Sequence, residues 1–224
     1  MKRFLRSSCR FLFSVLGICL LCPPGLSAGE LRGRVIVPRQ SKSPAPRRYY
    51  KGPYRSGHAH GAIQDGPENV VVYLPDLANP PMLPSRPEPV MRQVNERFVP
   101  HVLAVTRGNL VRFPNEDDFY HNVFSVVAGD RFDLGRYAKG EKASNPFDTS
   151  GVVVVRCEIH SRMKAYILVL ETEAFTVPDA SGSFVFPSLP DGRHRVAAWH
   201  PTSGTWEGFV DVSGDAPTSI TITF

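Results

Sequence analysis

Four residues of this chain have the types and the spacing to hold a soft metal ion. Cys157, His160 and Met163 fall within one seven-residue stretch, Cys157-Glu158-Ile159-His160-Ser161-Arg162-Met163. The stretch follows the apolar run Val152–Val155 and precedes Tyr166–Leu170, so it reads as a loop between two strands that aims a thiolate, an imidazole and a thioether at one point. His121 stands 36 residues before Cys157, after the polar turn Asn115–Asp118, where a neighbouring strand could bring it in. Two imidazoles, one thiolate and a weak axial thioether form the donor set of single-copper electron-transfer sites. The sulfur donors favour copper, and the mixed set suits both oxidation states, so little rearranges when an electron moves. Zinc gains little from a methionine and prefers more thiolates or a carboxylate. Covalent haem attachment needs Cys-x-x-Cys-His, which is absent. A lone histidine on a strand is more often core, and a methionine at a strand end is usually packing. The combination in one loop is what points to a metal.

Cysteine usage sharpens this reading. The sequence has 224 residues and 4 cysteines, with a formal charge of +5. Its start has the layout of a secretory signal peptide over residues 1–28: the cations Lys2, Arg3, Arg6 and Arg10, the apolar run Phe11 to Leu21, the breakers Pro23, Pro24 and Gly25, and a small residue at Ala28. The apolar run is shorter than the roughly 20 residues a spanning helix needs, so no stable membrane insertion is expected after cleavage. Cys9, Cys19 and Cys22 leave with that segment, and Cys157 remains alone. A single thiol in an oxidising compartment has no intramolecular disulfide partner; it is an accident, an intermolecular bridge or a ligand. The four leader cations leave too, so the mature chain is near neutral and its charge gives no argument for nucleic acid. An exported, periplasmic location is expected.

The elements that must position these residues read as β throughout. Candidate strands are Leu31–Val37, Val70–Leu74, Val90–Val94, Val102–Val105, Leu110–Phe113, Val123–Val127, Val152–Arg156 and Tyr166–Leu170, followed by Ser183–Phe186, Arg195–Trp199, Phe209–Val212 and Ile220–Phe224. These short runs rich in Val, Ile, Phe and Thr, with Gly, Pro, Asn and Asp between them, predict β-sandwiches. The fold class expected is all-β. Pro38 to Pro67 lacks periodicity and reads as a long basic insertion, 38–67, and the Pro-rich stretch Asn79 to Pro89 as a linker.

Phe113-Pro114-Asn115, His121-Asn122-Val123 and the Cys157–Met163 loop together resemble the plastocyanin/azurin family of cupredoxins. The Cys-x2-His-x2-Met spacing is similar to that of amicyanin in particular, and the stretch from about Pro84 to Thr172 resembles the cupredoxin-like proteins described as methylamine-utilisation proteins. The resemblance implies a Greek-key sandwich over 84–172 with one type 1 copper at one end, held by His121, Cys157, His160 and Met163. Arg162 departs from the apolar or aromatic residue some relatives carry there. The tail, 173–224, with Asp179-Ala180-Ser181-Gly182-Ser183-Phe184 and Leu189-Pro190-Asp191-Gly192, resembles the carboxypeptidase regulatory-like (transthyretin-like) sandwich. That family's opening strands look similar to Gly33-Arg34-Val35 and Val70–Leu74. Residues 30–83 are therefore expected to supply the N-terminal part of this second sandwich, with the copper domain inserted in it or followed by it.

The function expected is a periplasmic shuttle of single electrons between redox partners, such as a c-type cytochrome or a dehydrogenase. The alternatives are a copper carrier or sensor without electron turnover, and a structural interaction protein. No Ser-His-Asp or paired-carboxylate arrangement stands out, no histidines flank Cys157 as in multicopper oxidases, and the loop lacks the second cysteine of a binuclear centre; no enzyme is expected. His58 and His60 in the insertion read as a solvated loop or an extra metal site. His101, His194 and His200 have no partner identifiable from sequence. Pro84 to Thr172 carries twelve basic and eleven acidic residues, whereas Glu30 to Gln64 carries eight basic and one acidic. A near-neutral copper face and a basic arm that gathers an acidic partner are thus expected.

Overall fold

The computed structural model describes residues 28–38, 66–77, 86–126 and 131–224. Residues 1–27 of the expected signal peptide, almost all of the basic insertion with His58 and His60, the linker residues 79–85 and Val127 lie outside the described residues, whereas Ala28, the last expected leader residue, opens the first strand. Among the described residues the fold is all-β, with a single 3-10 turn at Pro67–Asn69. No helix among them is long and apolar enough to cross a membrane.

Two β-layers carry the loop of Cys157 at one end. One is a five-stranded sheet in the order β5 (Val102–Thr106), β11 (Lys164–Leu170), β10 (Gly151–Arg156), β7 (His121–Ser125) and β8 (Phe132–Tyr137). The other joins the hairpin β3 (Arg92–Gln93) and β4 (Phe98–Val99) to the pair β6 (Leu110–Pro114) and β9 (Lys142–Pro146) through bridges at Val90–Arg112 and Gln93–Asn115. Between them lies an apolar core that includes Met91, Phe98, Val111, Phe113, Phe147, Val153, Val155 and Ile167. Cys157 and Met163 belong to that same core.

The remaining strands form a second pair of sheets, drawn from both ends of the described chain. β1 (Ala28–Ile36) lies between β13 (Ser183–Pro190), antiparallel, and β16 (Thr218–Thr223), parallel. β2 (Val71–Tyr73) lies between β12 (Phe175–Thr176) and β14 (Gly192–His200), and β15 (Gly204–Val212) completes that sheet. Leu31, Val70, Val72, Phe186, Leu189, Val196, Ala198 and Ile222 share one core. The turns follow local chemistry. Gly182 (φ 86) sits where a left-handed residue is needed, its amide donates to the Asp179 carbonyl, and the Asp179 carboxylate accepts the amides of Ser181 and Ser183.

A third cluster joins the two units. Val102, Leu168 and Leu170 of the five-stranded sheet meet Val71 and Phe175, with Tyr73, Tyr166 and Trp199 packed around them. The Tyr166 and Trp199 rings meet edge to face at 5.7 Å. This explains why β11 reads as a continuous apolar run: it is buried on both faces.

Several expected strands are longer or shorter than the apolar runs that suggested them. Val90–Val94 contracts to a bridge at Val90 and the two residues of β3, because the chain turns into the hairpin at Asn95. The C-terminal strands extend beyond their apolar cores to form β13 to β15, carried by backbone pairing with a neighbour across polar residues. β8 and β9 correspond to no expected strand: both alternate exposed positions and lack β-branched residues.

Both tryptophans of the chain, Trp199 and Trp206, lie in the second pair of sheets, Trp199 at its seam with Tyr166, so their fluorescence reports on that pair of sheets and its seam. Leu31→Ala, on β1, is expected to reduce the stability seen by that fluorescence in urea by about 2–5 kcal/mol. An unchanged midpoint would mean that β1 is not part of that core.

Candidate metal centre

Three donor atoms converge at one end of the first sandwich. Cys157 Sγ lies 3.8 Å from His121 Nδ1 and 3.8 Å from His160 Nδ1, and the two imidazole nitrogens are 3.1 Å apart. These are the only such group of His, Cys and acidic residues found among the described residues. Each arrives on a different part of the scaffold. His121 opens β7 opposite Tyr137 and is fully buried; Cys157 follows β10 and is 4% exposed; His160 lies half-buried in the loop.

The loop is closed on itself by its backbone. The Met163 amide donates to the His160 carbonyl at 2.9 Å, and the Cys157 amide donates to the Met163 carbonyl at 3.3 Å. Arg156 and Lys164 are paired across β10 and β11 at its base. Met163 is therefore brought next to Cys157 and His160 through its backbone, and its side chain is buried in the core. Asn122 ties the loop to the neighbouring strands. Its side-chain oxygen accepts the Glu158 amide, while its NH2 donates to Asp133 Oδ1 at 2.7 Å and to the Gly135 carbonyl. An exposed Arg136–Glu158 ion pair lies on the outer side of the same loop.

The orientation of His121 is set by a residue the sequence reading saw only as part of a polar turn. Asp117 Oδ2 lies 2.7 Å from His121 Nε2. An ionised carboxylate only accepts, so Nε2 carries a proton and Nδ1 faces Cys157, as a lone pair on the neutral ring and as a second N–H on the charged one. Asp117 is 8% exposed. Burial alone would raise its pKa, but the amides of Glu96 and Asn95 and the His121 imidazole outweigh that and hold it below the usual carboxylate value. For His121, burial works against the charged form, yet Cys157 and Asp117 together raise its pKa. Burial also pushes the Cys157 thiol up, but hydrogen bonding from His121, from the Asn122 amide and from His160 more than offsets it, bringing the thiol down to about 6. The one signal in the sequence that could have identified Asp117 is its place four residues before a candidate ligand.

Aromatic rings frame the cluster. Phe119, 42% exposed, lies 5.1 Å from the His121 ring and 5.5 Å from that of His160. The other described histidines find partners elsewhere. His194 Nε2 bonds the Pro190 carbonyl, His200 Nδ1 accepts the Ser203 amide, and His101 packs edge to face on Tyr166.

The cluster fits a first-row transition metal. Bonds of about 2.0 Å to nitrogen and about 2.3 Å to sulfur, spread in a plane, put nitrogens about 3.5 Å apart and nitrogen and sulfur about 3.7 Å apart. The observed 3.1 and 3.8 Å leave an opening of that size. Two imidazole lone pairs turned toward a thiolate are also unfavourable neighbours unless a cation or proton lies between them.

No protein-family model matches the chain, and no curated protein matches it. Among solved structures, it is similar to the Cu(I) form of a methionine-to-alanine mutant of amicyanin, at 20% identity over 36% of this chain and 80% of that one, with a TM-score of 0.35. It is similar to a copper-containing nitrite reductase from Thermus scotoductus SA-01, at 30% identity over 44% of this chain, with a TM-score of 0.37; the match spans only 27% of that enzyme. A purple cupredoxin from Nitrosopumilus maritimus matches at 18% identity over 36% of this chain and 98% of that one, with a TM-score of 0.33.

At neutral pH the thiol of the metal-free protein is expected to be mostly ionised. The thiolate absorbance in the near ultraviolet, taken as the difference from Cys157→Ser, should fall away as the pH drops through about 6. A transition near the ordinary thiol range of about 8.5 would mean that the hydrogen bonds to Cys157 Sγ are not made.

Proposed function

We propose that this chain is an exported, periplasmic electron-transfer protein that carries a single type 1 copper on His121, Cys157, His160 and Met163. The observation that carries this reading is the convergence of two Nδ1 atoms and one thiolate in a buried corner, with a methionine closing the same loop. When bound, copper supplies a one-electron couple at that place. The chain supplies everything else. Asp117 fixes the His121 ring, the Asn122 amide and the imidazoles keep Cys157 ionised, and Met163 offers a weak, soft fourth donor from the core side. Burial of His121 and Cys157 excludes water, so the surroundings have little to rearrange as charge changes.

Only His160 of the three donors reaches toward solvent, beside Phe119 and next in sequence to Ile159, both about 40% exposed. An apolar rim around one half-buried imidazole suits brief contact with a redox partner, such as a c-type cytochrome or a dehydrogenase. Glu158 of this loop is paired with Arg136 and Arg162 is exposed, so the face carries little net charge and its steering is weak. The role proposed is that of a carrier, with no substrate turned over on the chain itself.

Adding Cu(II) to the purified mature protein is expected to give an intense visible band, reversibly lost on reduction. Cys157→Ser should abolish the band even if copper still binds, and Met163→Gln should keep the colour and lower the potential. A strong band in Cys157→Ser would overturn the ligand assignment. A colourless protein that binds only Cu(I) would instead identify a copper carrier.

A further inference from the structure

The hairpin of β3 and β4 lies outside the donor loop, yet its turn reaches the metal centre. Val94 and Arg97 close the turn with reciprocal backbone bonds, the Val94 amide to the Arg97 carbonyl at 2.9 Å and the Arg97 amide to the Val94 carbonyl at 3.2 Å. The two residues between them, Asn95 and Glu96, both have positive φ, 53° and 56°, as a two-residue turn of this hand requires. Asparagine tolerates that region; glutamate rarely adopts it. A residue held there persists only where its surroundings over-determine it.

What the surroundings gain is a pair of amides aimed at one carboxylate. The Asn95 amide donates to Asp117 Oδ1 at 2.6 Å and the Glu96 amide to Asp117 Oδ2 at 2.9 Å. Successive amides in such a turn form a concavity for an anion. Asp117 Oδ2 is also the atom that bonds His121 Nε2. The rest of the turn's setting is fixed to the same loop: Gln93 pairs with Asn115, the Glu116 amide donates to the Gln93 carbonyl at 3.0 Å, and the Asp117 amide donates to Asn115 Oδ1.

We propose that the Asn95–Glu96 turn is a positioning element of the metal centre, holding Asp117 by two backbone amides and through it fixing the His121 ring with Nδ1 turned to the cluster. Its consequence for copper rests on the function proposed above; its hold on His121 does not. Without the turn, the carboxylate keeps one donor of three and has reason to rotate toward water. The His121 ring is then free to turn, presenting either nitrogen to Cys157. The Asn95 and Glu96 side chains play no part in this; the backbone conformation does.

Glu96→Gly and Glu96→Val test the idea at one position. Both delete the same carboxylate, but glycine accepts positive φ and valine resists it. In the metal-free protein, exchange of the His121 ring N–H with solvent is read by NMR. It should be unchanged in Glu96→Gly, and faster by about tenfold or more in Glu96→Val and in Asp117→Asn. Copper affinity should follow the same order, weakening by about 10–100-fold in the latter two. The double variant Glu96→Val/Asp117→Asn should be little worse than either alone, because both break one chain of contacts. Should Glu96→Val fail to fold, Glu96→Ala takes its place with a milder resistance to positive φ. Equal ring exchange in the glycine variant and the folded valine or alanine variant would overturn the proposal, as would additive effects in the double variant. If the exchange pattern appears in a protein that takes up no copper, the turn holds His121 as stated and the electron-transfer reading fails.

Discussion

Three lone-pair donors held face to face are the constraint on which this structure turns. Nitrogens 3.1 Å apart beside a buried sulfur are favourable neighbours only with a proton or a cation between them. Polar groups taken from water without compensation cost a few kcal/mol each, and each donor here could relax by rotating about its side-chain bonds. They stay because each is held from behind. Asp117 holds His121, the Asn122 amide and the closed loop hold Cys157, and Phe119 lies against both imidazoles. A cation between the donors would then collect what the scaffold has already spent on ordering them, with little left to rearrange.

The scaffold achieves this by bringing sequence-distant segments to one end of a sheet. β7 carries His121 and β10 runs into Cys157, and the two strands are neighbours in the five-stranded sheet. The donor loop therefore bridges β10 and β11 while its tether, Asn122, reaches across from β7. The far face of the same sheet is closed by the second pair of sheets through Val102, Leu168 and Leu170 against Val71 and Phe175. Those sheets in turn need β1 and β2 from before the first sandwich and β12 to β16 from after it. Loss of β1 or β16 would expose apolar residues of the second core.

Much of this was legible in the residues. The β class followed from short apolar runs between turn formers, and the coming together of His121, Cys157 and His160 followed from donor types and loop spacing. The turn at Gly182 was legible because glycine and aspartate there do local work. What was hidden depends on contacts between segments. β9 has no apolar signature, and in β8 the apolar Phe132 and Leu134 are followed by Gly135 and Arg136, which break the run. The role of Asp117 needs a loop conformation and two amides from a hairpin more than twenty residues earlier. Glu96 conceals its backbone conformation, because nothing in a glutamate announces positive φ. The contact of Tyr166 with Trp199 was equally hidden, since each ring reads as ordinary strand core on its own.

One copper ion is proposed to sit on a thiolate and two imidazoles at the end of the first sandwich. X-ray absorption at the copper edge, on protein loaded with one equivalent of copper, tests it most directly. The expected inner shell is one short sulfur and two imidazole nitrogens, with any second sulfur longer and weaker. An inner shell of nitrogen and oxygen alone, as the histidines His58 and His60 would give, would contradict the account.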